Sequence, residues 1–277
     1  EKPALTLAVE LAKKEKADGV MATDPDSDRF GTAFPDKDGN FVLLSGNQMG
    51  ALLIDYILRS RKELGKMPAN PAIIRSIVTS PFGDYICKKY GVKMIECLTG
   101  FKWIAAVEAN FEKDNSASYV FGLEESYGYK VETEVMDKDG VSAAAMCAEM
   151  ILYWRSQGKS LLEHLDDLYK EFGYFEDRAI SQNFPGASGS ETMKAMMSSM
   201  RANPPKTLGG EKVVKVRDCM ADPNLPKSNV LQFYLESGTI VSARPSGTEP
   251  KIKFYINSMI PAGDGSDAWF ADAKVKA

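Results

Sequence analysis

The chain has 277 residues, of which 44% are apolar and 26% charged, a balance that excludes a disordered tail, a collagen-like chain and a disulfide-stapled miniprotein. Lys and Arg number 34 against 38 Asp and Glu, for a net charge of −4, so the broad basic field of a non-specific nucleic-acid binder is missing. There is one histidine, His164, and any serine triad or multi-histidine zinc site would have to use it.

From the first residues, Leu5, Val9, Leu11 and Ala12 predict a helix between Pro3 and Lys16, and Gly19 to Ala22 reads as a short buried strand. A helix feeding a strand is the second half of a βαβ unit, so the expectation is a further N-terminal portion carrying the first strand. A helix capped by Asn47 is predicted to run to about Leu64, with Met49, Leu52, Leu53, Tyr56 and Ile57 on one face. Strands follow at Ile73–Val78, Val92–Ile95 and Tyr119–Phe121, separated by helices at Tyr85–Tyr90 and Phe101–Phe111. A turn at Asp139-Gly140 leads into helices at Val141–Ser156 and from Ser160 to about Phe172. This order predicts an α/β fold, a three-layer domain with largely parallel strands in a mixed sheet. After Gly173 the spacing of Pro and Gly breaks the chain into short strands near Ala179, Val213, Leu231, Ile240 and Lys251–Ile256, with helices at Glu191–Met200 and Ala268–Lys276. That texture predicts a separate α+β C-terminal domain.

The four cysteines form no CxxC pair and read as reduced thiols of a cytoplasmic protein. No run of about 18 apolar residues occurs, so no membrane span is expected. His164, among Leu161, Leu162, Leu165 and Leu168, reads as a packed helix histidine.

Three constellations carry chemistry. Asp24-Pro25-Asp26-Ser27-Asp28-Arg29 follows the first strand, where ligand sites of α/β folds lie. Carboxylates at every second position repel unless a cation neutralises them, and oxygen donors favour Mg²⁺ or Ca²⁺ over zinc. An EF-hand is excluded, because its sixth and twelfth positions would be Arg29 and Pro35. An aspartyl-nucleophile phosphatase and a solvated acidic turn stay open. Gly122-Leu123-Glu124-Glu125-Ser126-Tyr127-Gly128-Tyr129 also follows a strand, and its acceptors suit the vicinal hydroxyls of a sugar. A glycosidase pair is disfavoured, since adjacent residues rarely face opposite sides of one bond, but a solvated loop is not excluded. Arg244-Pro245-Ser246-Gly247-Thr248-Glu249-Pro250 leads into Lys251-Ile252-Lys253. A guanidinium fork, two hydroxyls and a glycine can cradle an anion that Lys253 would close; a plain Ser-Gly turn before a strand is the alternative. Thr99-Gly100-Phe101-Lys102 stands at a strand-to-helix junction, where N–H groups can meet an anion or a hydroxyl, although a helix start without function looks the same. Lys138, between Asp137 and Asp139, is either a general acid/base or part of a charged turn. Asp36-Lys37-Asp38-Gly39 reads as a plain hairpin turn.

Taken in order, DPDSDR, LTGFKWI, GLEESYGY, DKDG and RPSGTEPKIKFY make the chain resemble the α-D-phosphohexomutases, most of all the phosphoglucomutase branch that includes the phosphopentomutases. The resemblance spans Gly19 to about Ser258 and divides the chain into 1–44, the end of the family's second domain with its metal loop, 45–172, the third with its sugar loop, and 173–277, the fourth with its phosphate loop. It implies that Asp24, Asp26 and Asp28 hold Mg²⁺, that Arg29 lies beside a phosphoserine, and that Lys138 is a candidate general acid/base. It also implies that Glu124 and Ser126 meet sugar hydroxyls, while Arg244, Ser246, Gly247, Thr248 and Lys253 grip the non-reacting phosphate; Thr99, Gly100 and Lys102, at the strand-to-helix junction, are taken as further substrate-binding residues. Lys253 departs from the arginine common there, turning a bidentate contact into a point charge. The implied partners are glucose 1-phosphate, glucose 6-phosphate and glucose 1,6-bisphosphate, with no nucleic acid or membrane. The family's nucleophile, in a Ser-His-Asn-Pro run, has no counterpart in this sequence, so the chain alone is expected to be inactive. A phosphopentomutase, a phosphomannomutase or a non-catalytic sugar-phosphate binding module are the other readings.

Overall fold

A computed structural model describes residues 2–186, 188–247 and 249–277. Its elements alternate in the first half: a 3-10 turn (Lys2–Leu5), α1 (Thr6–Glu15), β1 (Val20–Thr23), β2 (Phe30–Pro35), β3 (Phe41–Leu43), α2 (Gly46–Glu63), β4 (Pro71–Ser76), α3 (Phe82–Tyr90), β5 (Lys93–Cys97), α4 (Phe101–Asp114), β6 (Ser118–Glu124), β7 (Gly128–Lys130), α5 (Gly140–Ser156) and α6 (Leu161–Phe172). The second half holds β8 (Tyr174–Asn183), α7 (Gly189–Ala202), β9 (Thr207–Leu208), β10 (Glu211–Asp218), β11 (Leu231–Leu235), β12 (Ile240–Pro245), β13 (Lys251–Ile260) and α8 (Asp267–Lys276). The chain divides into two compact units, Glu1–Leu168 and Tyr169–Ala277. Membership of the α/β class with mixed sheets agrees with the sequence pattern.

In the first unit, a four-stranded sheet has the order β5-β4-β6-β7. β4 runs parallel to β5 and β6, and β7 returns antiparallel to β6. Alternation along the strands decides the layers. Ala72 and Ile74 turn to one face and pack with Phe101, Ile104 and Phe111 of α4. Leu123 turns to the other, so close to α2 that a Cβ on Gly50 would sit 2.5 Å from it. Helices therefore cover both faces of this sheet, and the apolar runs of β4 and β6 are buried on both sides. A second sheet, β1-β2-β3, is antiparallel and buries Val20 and Ala33 against Ala12 of α1. The Asp36–Asn40 connection between β2 and β3 is the expected hairpin turn, closed by Asp36 Oδ1 accepting from the Asp38 and Asn40 amides.

The start of α2 differs from expectation in its cap. Ser45, not Asn47, is the N-cap: its hydroxyl accepts from the Gln48 amide while the Gln48 side chain accepts from the Ser45 amide. Asn47 is instead buried, with Oδ1 accepting from the Ser80 amide. Both residues are good caps, and the Ser-x-x-Gln reciprocity decides between them.

In the second unit all six strands form an antiparallel sheet of order β8-β13-β12-β11-β10-β9. Met193 and Met197 of α7 pack on Leu231, Phe233, Ala243 and Ile252. On β13, Ile252 and Phe254 face this core, and Lys253 is exposed as the alternation predicts; Tyr255 and Asn257, on the Lys253 face, are nevertheless buried.

His164 is 3% exposed, in line with a packed helix histidine. Its ring stacks on Trp154 at 3.6 Å, and Nε2 lies 2.9 Å from Asp55 Oδ2. Asp55 also accepts from Tyr90 and Arg59. Burial pushes the Asp55 carboxyl up, but the hydrogen bond with His164 and the Arg59 charge outweigh it and hold the group below its usual value. All four cysteines are free and buried; burial pushes the Cys97 and Cys147 thiols up to about 12, where they are unreactive. No helix among the described residues is long and apolar enough to cross a membrane.

Candidate functional site

The candidate site of the first unit forms where three loops meet. The first, Asp24 to Arg29, leaves β1 and turns sharply. The Ser27 amide bonds back to Asp24 O, and Ser27 adopts a left-handed φ of 58°. Asp24 Oδ1 accepts from the Asp28 and Arg29 amides at 3.2 Å each, so this carboxylate braces the loop it belongs to. Asp26 is exposed and Asp28 half-buried, while Arg29 extends outward with over half of its side chain accessible.

The second loop, between β6 and β7, lies directly against the first. The Phe30 amide donates to Tyr127 O, and Arg29 forms an isolated bridge with Gly128. Glu124 is buried and accepts from the Gly100 amide at the start of α4. Gly100 has a φ of 115°, open to glycine alone at little cost, which aims this amide at the carboxylate. Next to Gly100 in the chain, Thr99 Oγ1 is buried and makes no hydrogen bond, an unsatisfied hydroxyl. Lys102 stays exposed, with Nζ 5.3 Å from the Trp103 ring centre. Ser126 is half-buried in the loop between Glu124 and Gly128.

The third loop is the Asp137–Gly140 turn, and each of its residues has a separate task. Asp137 Oδ1 accepts from the Lys138 amide. Lys138 Nζ reaches back to Asp28 Oδ2 at 2.7 Å, joining the turn to the acidic loop. Asp139 caps α5, accepting from the Val141 and Ser142 amides at 3.0 and 3.1 Å. Burial pushes its carboxyl up, but these bonds at the positive end of the helix hold it below its usual value. The Gly140 amide donates to Ser27 O, and a Cβ there would stand 2.8 Å from both Ser27 O and Arg29 O. The sequence placed a turn at Asp139-Gly140 and a candidate acid/base at Lys138; the helix cap by Asp139 and the close approach of Gly140 to the acidic loop were not read from it.

Burial works to lower the Lys138 pKa. The hydrogen bond to Asp28 and the charge of Asp137 more than offset it, so the ammonium is held above its ordinary range. In this arrangement Lys138 is an ammonium paired with the Asp28 and Asp137 carboxylates. Among the described residues, no group of three acidic, histidine or cysteine side chains is gathered closely enough to ligate an ion. The donors nevertheless suit a hard divalent cation: they are all carboxylate oxygens, and Asp28 Oδ1 is buried without a hydrogen bond. Arg29 Nε stands 3.9 Å from this oxygen, beyond hydrogen-bond reach, so a cation would be accommodated at an acceptor that is charge-paired but not hydrogen-bonded.

The second unit presents the other predicted loop. Arg244, near the end of β12, stands directly opposite Lys253 of β13 in the strand register. Like charges in that relation repel, and an anion between them would relieve the repulsion. Ser246 seats the turn, its amide bonded to Lys251 O and its hydroxyl accepting from the Glu249 amide. Gly247 is exposed, and a Cβ there would meet nothing within 4 Å. Lys251 is paired with Glu249, which leaves Lys253 as the neighbouring cation the sequence selected. Thr248 lies outside the described residues.

Comparison with known proteins follows the same lines. A model of the phosphoglucomutase/phosphomannomutase alpha/beta/alpha domain III matches residues 45–172. A phosphoglucomutase of Staphylococcus aureus (strain USA300) is 35% identical over 269 residues, covering 93% of this chain and 48% of its own length. A Haemophilus influenzae protein named "Probable phosphomannomutase" is 38% identical over 259 residues, covering 93% of this chain and 50% of its own. Among solved structures, the phosphoglucomutase pp63/parafusin of Paramecium in its open form aligns with a TM-score of 0.66 at 18% identity, over 98% of this chain and 47% of that one; at that identity the likeness is one of fold. The chain spans about half the length of the curated relatives it matches.

Proposed function

Because this chain belongs to the α-D-phosphohexomutase family, we propose that it carries the metal, sugar and phosphate loops of a phosphoglucomutase, which interconverts glucose 1-phosphate and glucose 6-phosphate. The observation that carries this reading is the meeting of three loops in one place, with Lys138 Nζ 2.7 Å from Asp28 Oδ2 and the Glu124 loop bridged to Arg29. Asp24, Asp26 and Asp28 supply the oxygen donors that would hold Mg²⁺. When bound, Mg²⁺ offsets negative charge on a phosphoryl group in transfer.

The remaining chemistry belongs to side chains of this sequence. Glu124 and Ser126, with Thr99 and Gly100 beside them, accept from and donate to sugar hydroxyls; Lys102 adds a cation at the rim. Lys138 keeps a proton at Nζ and can give it to a sugar oxygen when phosphoryl transfer breaks the bond to that oxygen, Asp28 and Asp137 stabilising the charged form. Arg29 adds a second positive group beside the acidic loop. Arg244, Ser246, Gly247 and Lys253, with Thr248, hold the phosphate that is not reacting, and orientation is the largest contribution such a clamp can make. Two phosphates exchange places through glucose 1,6-bisphosphate, so the sugar loop must accept either orientation. The phosphoserine that donates the phosphoryl group has no counterpart among these 277 residues. The proposed domains are 1–44, 45–172 and 173–277, with the metal, sugar and phosphate loops in that order.

Titration calorimetry with glucose 1-phosphate and Mg²⁺, beside a coupled mutase assay supplied with glucose 1,6-bisphosphate, tests the reading. Binding without turnover is expected, and turnover by the 277 residues, or binding unaffected by Arg244→Ala, contradicts it. The Haemophilus relative favours phosphomannomutase as the second reading, and the relative affinities for glucose, mannose and ribose 1-phosphate separate these substrates.

A further inference from the structure

Behind the Glu124 loop lies a polar cluster that the reading above does not use. Ser76, at the end of β4, and Thr79, three residues on, are both buried, and hydroxyls in such a place destabilise the fold unless they are bonded. Their oxygens are 2.9 Å apart. They lie 3.2 and 3.3 Å from Glu125 Oε2. With two hydroxyl protons for three contacts, any arrangement that uses both within the cluster donates at least one to the carboxylate.

The turn that presents these hydroxyls is itself fixed. Arg75 Nη1 donates to Ser76 O and Thr79 O at 3.2 Å each. The rest of its guanidinium is bidentate to Asp84, at 2.6 and 2.8 Å, and lies 3.0 Å from Glu96. The Ser80 amide is anchored to Asn47 of α2. Gly46 of α2 also comes so close that a Cβ would stand 2.1 Å from Glu125 O. Glu125 is therefore gripped by its side chain and confined by its backbone. Its neighbours differ: Glu124 points to Gly100, and Tyr127 takes a left-handed φ of 67° to bring its carbonyl to Phe30.

We propose that Glu125 is a positioning residue: the buried Ser76–Thr79 pair clamps its carboxylate, and the clamp sets the backbone from which Glu124 and Ser126 meet the sugar. The proposal deepens the sugar-binding reading of this loop and rests on it for its functional meaning. It accounts for two adjacent glutamates with different partners, Glu124 on the Gly100 amide and Glu125 on the buried hydroxyls.

Amide NMR on the 277-residue chain separates the two ideas. The Gly100 amide, bonded to the Glu124 carboxylate, reports loop position, and a glucose 1-phosphate titration reports binding. Glu125→Ala is expected to shift the Gly100 resonance upfield and weaken glucose 1-phosphate binding about tenfold, the effect of one charge-assisted hydrogen bond. Ser76→Ala with Thr79→Val should do the same from the other side of the clamp. Glu125→Gln, which keeps an acceptor for the hydroxyls, should restore most of both signals, whereas a role in stability alone would move the melting temperature and leave them in place. An unmoved Gly100 amide in Glu125→Ala overturns the positioning role. A wild-type chain that binds no glucose 1-phosphate, while Glu125→Ala still moves Gly100, overturns the sugar reading and leaves the clamp standing.

Discussion

Gly46→Ala is the sharpest structural test of how the candidate site is assembled. Gly46 is the first residue of α2, where on helix propensity alone alanine should stabilise by about 1 kcal/mol. The structure predicts the opposite sign. A Cβ at Gly46 would lie 2.1 Å from Glu125 O, 2.8 Å from Glu125 C and 2.9 Å from Tyr127 N. All three atoms are backbone, so no rotamer change relieves them. Ordinary contact begins near 3.4 Å, which demands that helix or loop retreat by about 1.3 Å, a shift that close-packed interiors resist. Neither can do so freely. The helix is fixed by its capping box and by Tyr129, whose hydroxyl donates to Gly46 O at 2.9 Å; the loop is fixed by the Glu125 clamp. Overpacking against backbone costs about 3 kcal/mol, and the propensity gain of about 1 kcal/mol leaves a net loss near 2 kcal/mol. For a unit spanning Glu1–Leu168, that lowers the melting temperature by roughly 4–8 °C. Scanning calorimetry with urea unfolding measures it directly. A variant as stable as the parent, or more so, would refute the claim that this close approach seats the loop.

Other substitutions probe other parts. Lys130 Nζ is 2.8 Å from Glu108 Oε2 and both side chains are almost wholly inaccessible, so Lys130→Met should destabilise by about 3–5 kcal/mol at pH 7. Burial already pushes the Glu108 carboxyl up, with Lys130 pulling it back. An acid whose folded pKa is raised weakens the fold above its unfolded value, so the Lys130→Met defect should shrink as the pH falls toward about 4, measured by urea midpoints. Asp55 is the reverse case: its depressed carboxyl stabilises above about pH 4 and loses that contribution as the pH falls through the folded value, so the gap between wild type and Asp55→Asn should narrow in acid. Arg244→Ala should weaken glucose 1-phosphate binding by about 1.5–3 kcal/mol by calorimetry, as expected for a hydrogen bond to a charged group; Lys253→Ala, losing a point charge, should cost less. Equal effects would argue against a cradle centred on Arg244.

The alternation of helix and strand was legible because apolar runs of strand length and amphipathic helices carry distinct periods, and β4, α4, β6 and α5 lie within a few residues of where those periods put them. The short strands β3, β7 and β9 were not, nor was the six-residue β2, whose burial is nearly continuous rather than alternating. β3 and β7 have three residues and β9 two, too few for an alternation to declare itself. The parallel core of the first unit was anticipated, but the antiparallel return of β7 depends on pairing with β6, which has no local signature. Candidate site residues were easy to select where they were consecutive, as in Asp24–Arg29 or Arg244–Lys253. Partnership across the chain was invisible: nothing near Glu125 announces Ser76 and Thr79, 49 and 46 residues away. Nor does anything near His164 announce Asp55, 109 residues away. Gly46 was silent, and the tight approach at Gly140 was not read from its turn, for a different reason: their role is to leave room for backbone that arrives from elsewhere.

The measurement that bears most directly on the account is a Mg²⁺ titration of the 277-residue chain, followed calorimetrically and by the amide resonances of residues 24–29 and 137–140. One saturable site is expected, its binding perturbing both loops together because Asp28 and Lys138 share a contact, and it is lost in Asp24→Asn and Asp28→Asn while both variants remain folded. Mg²⁺ binding that survives in those variants, or that leaves both loops unperturbed, would contradict it.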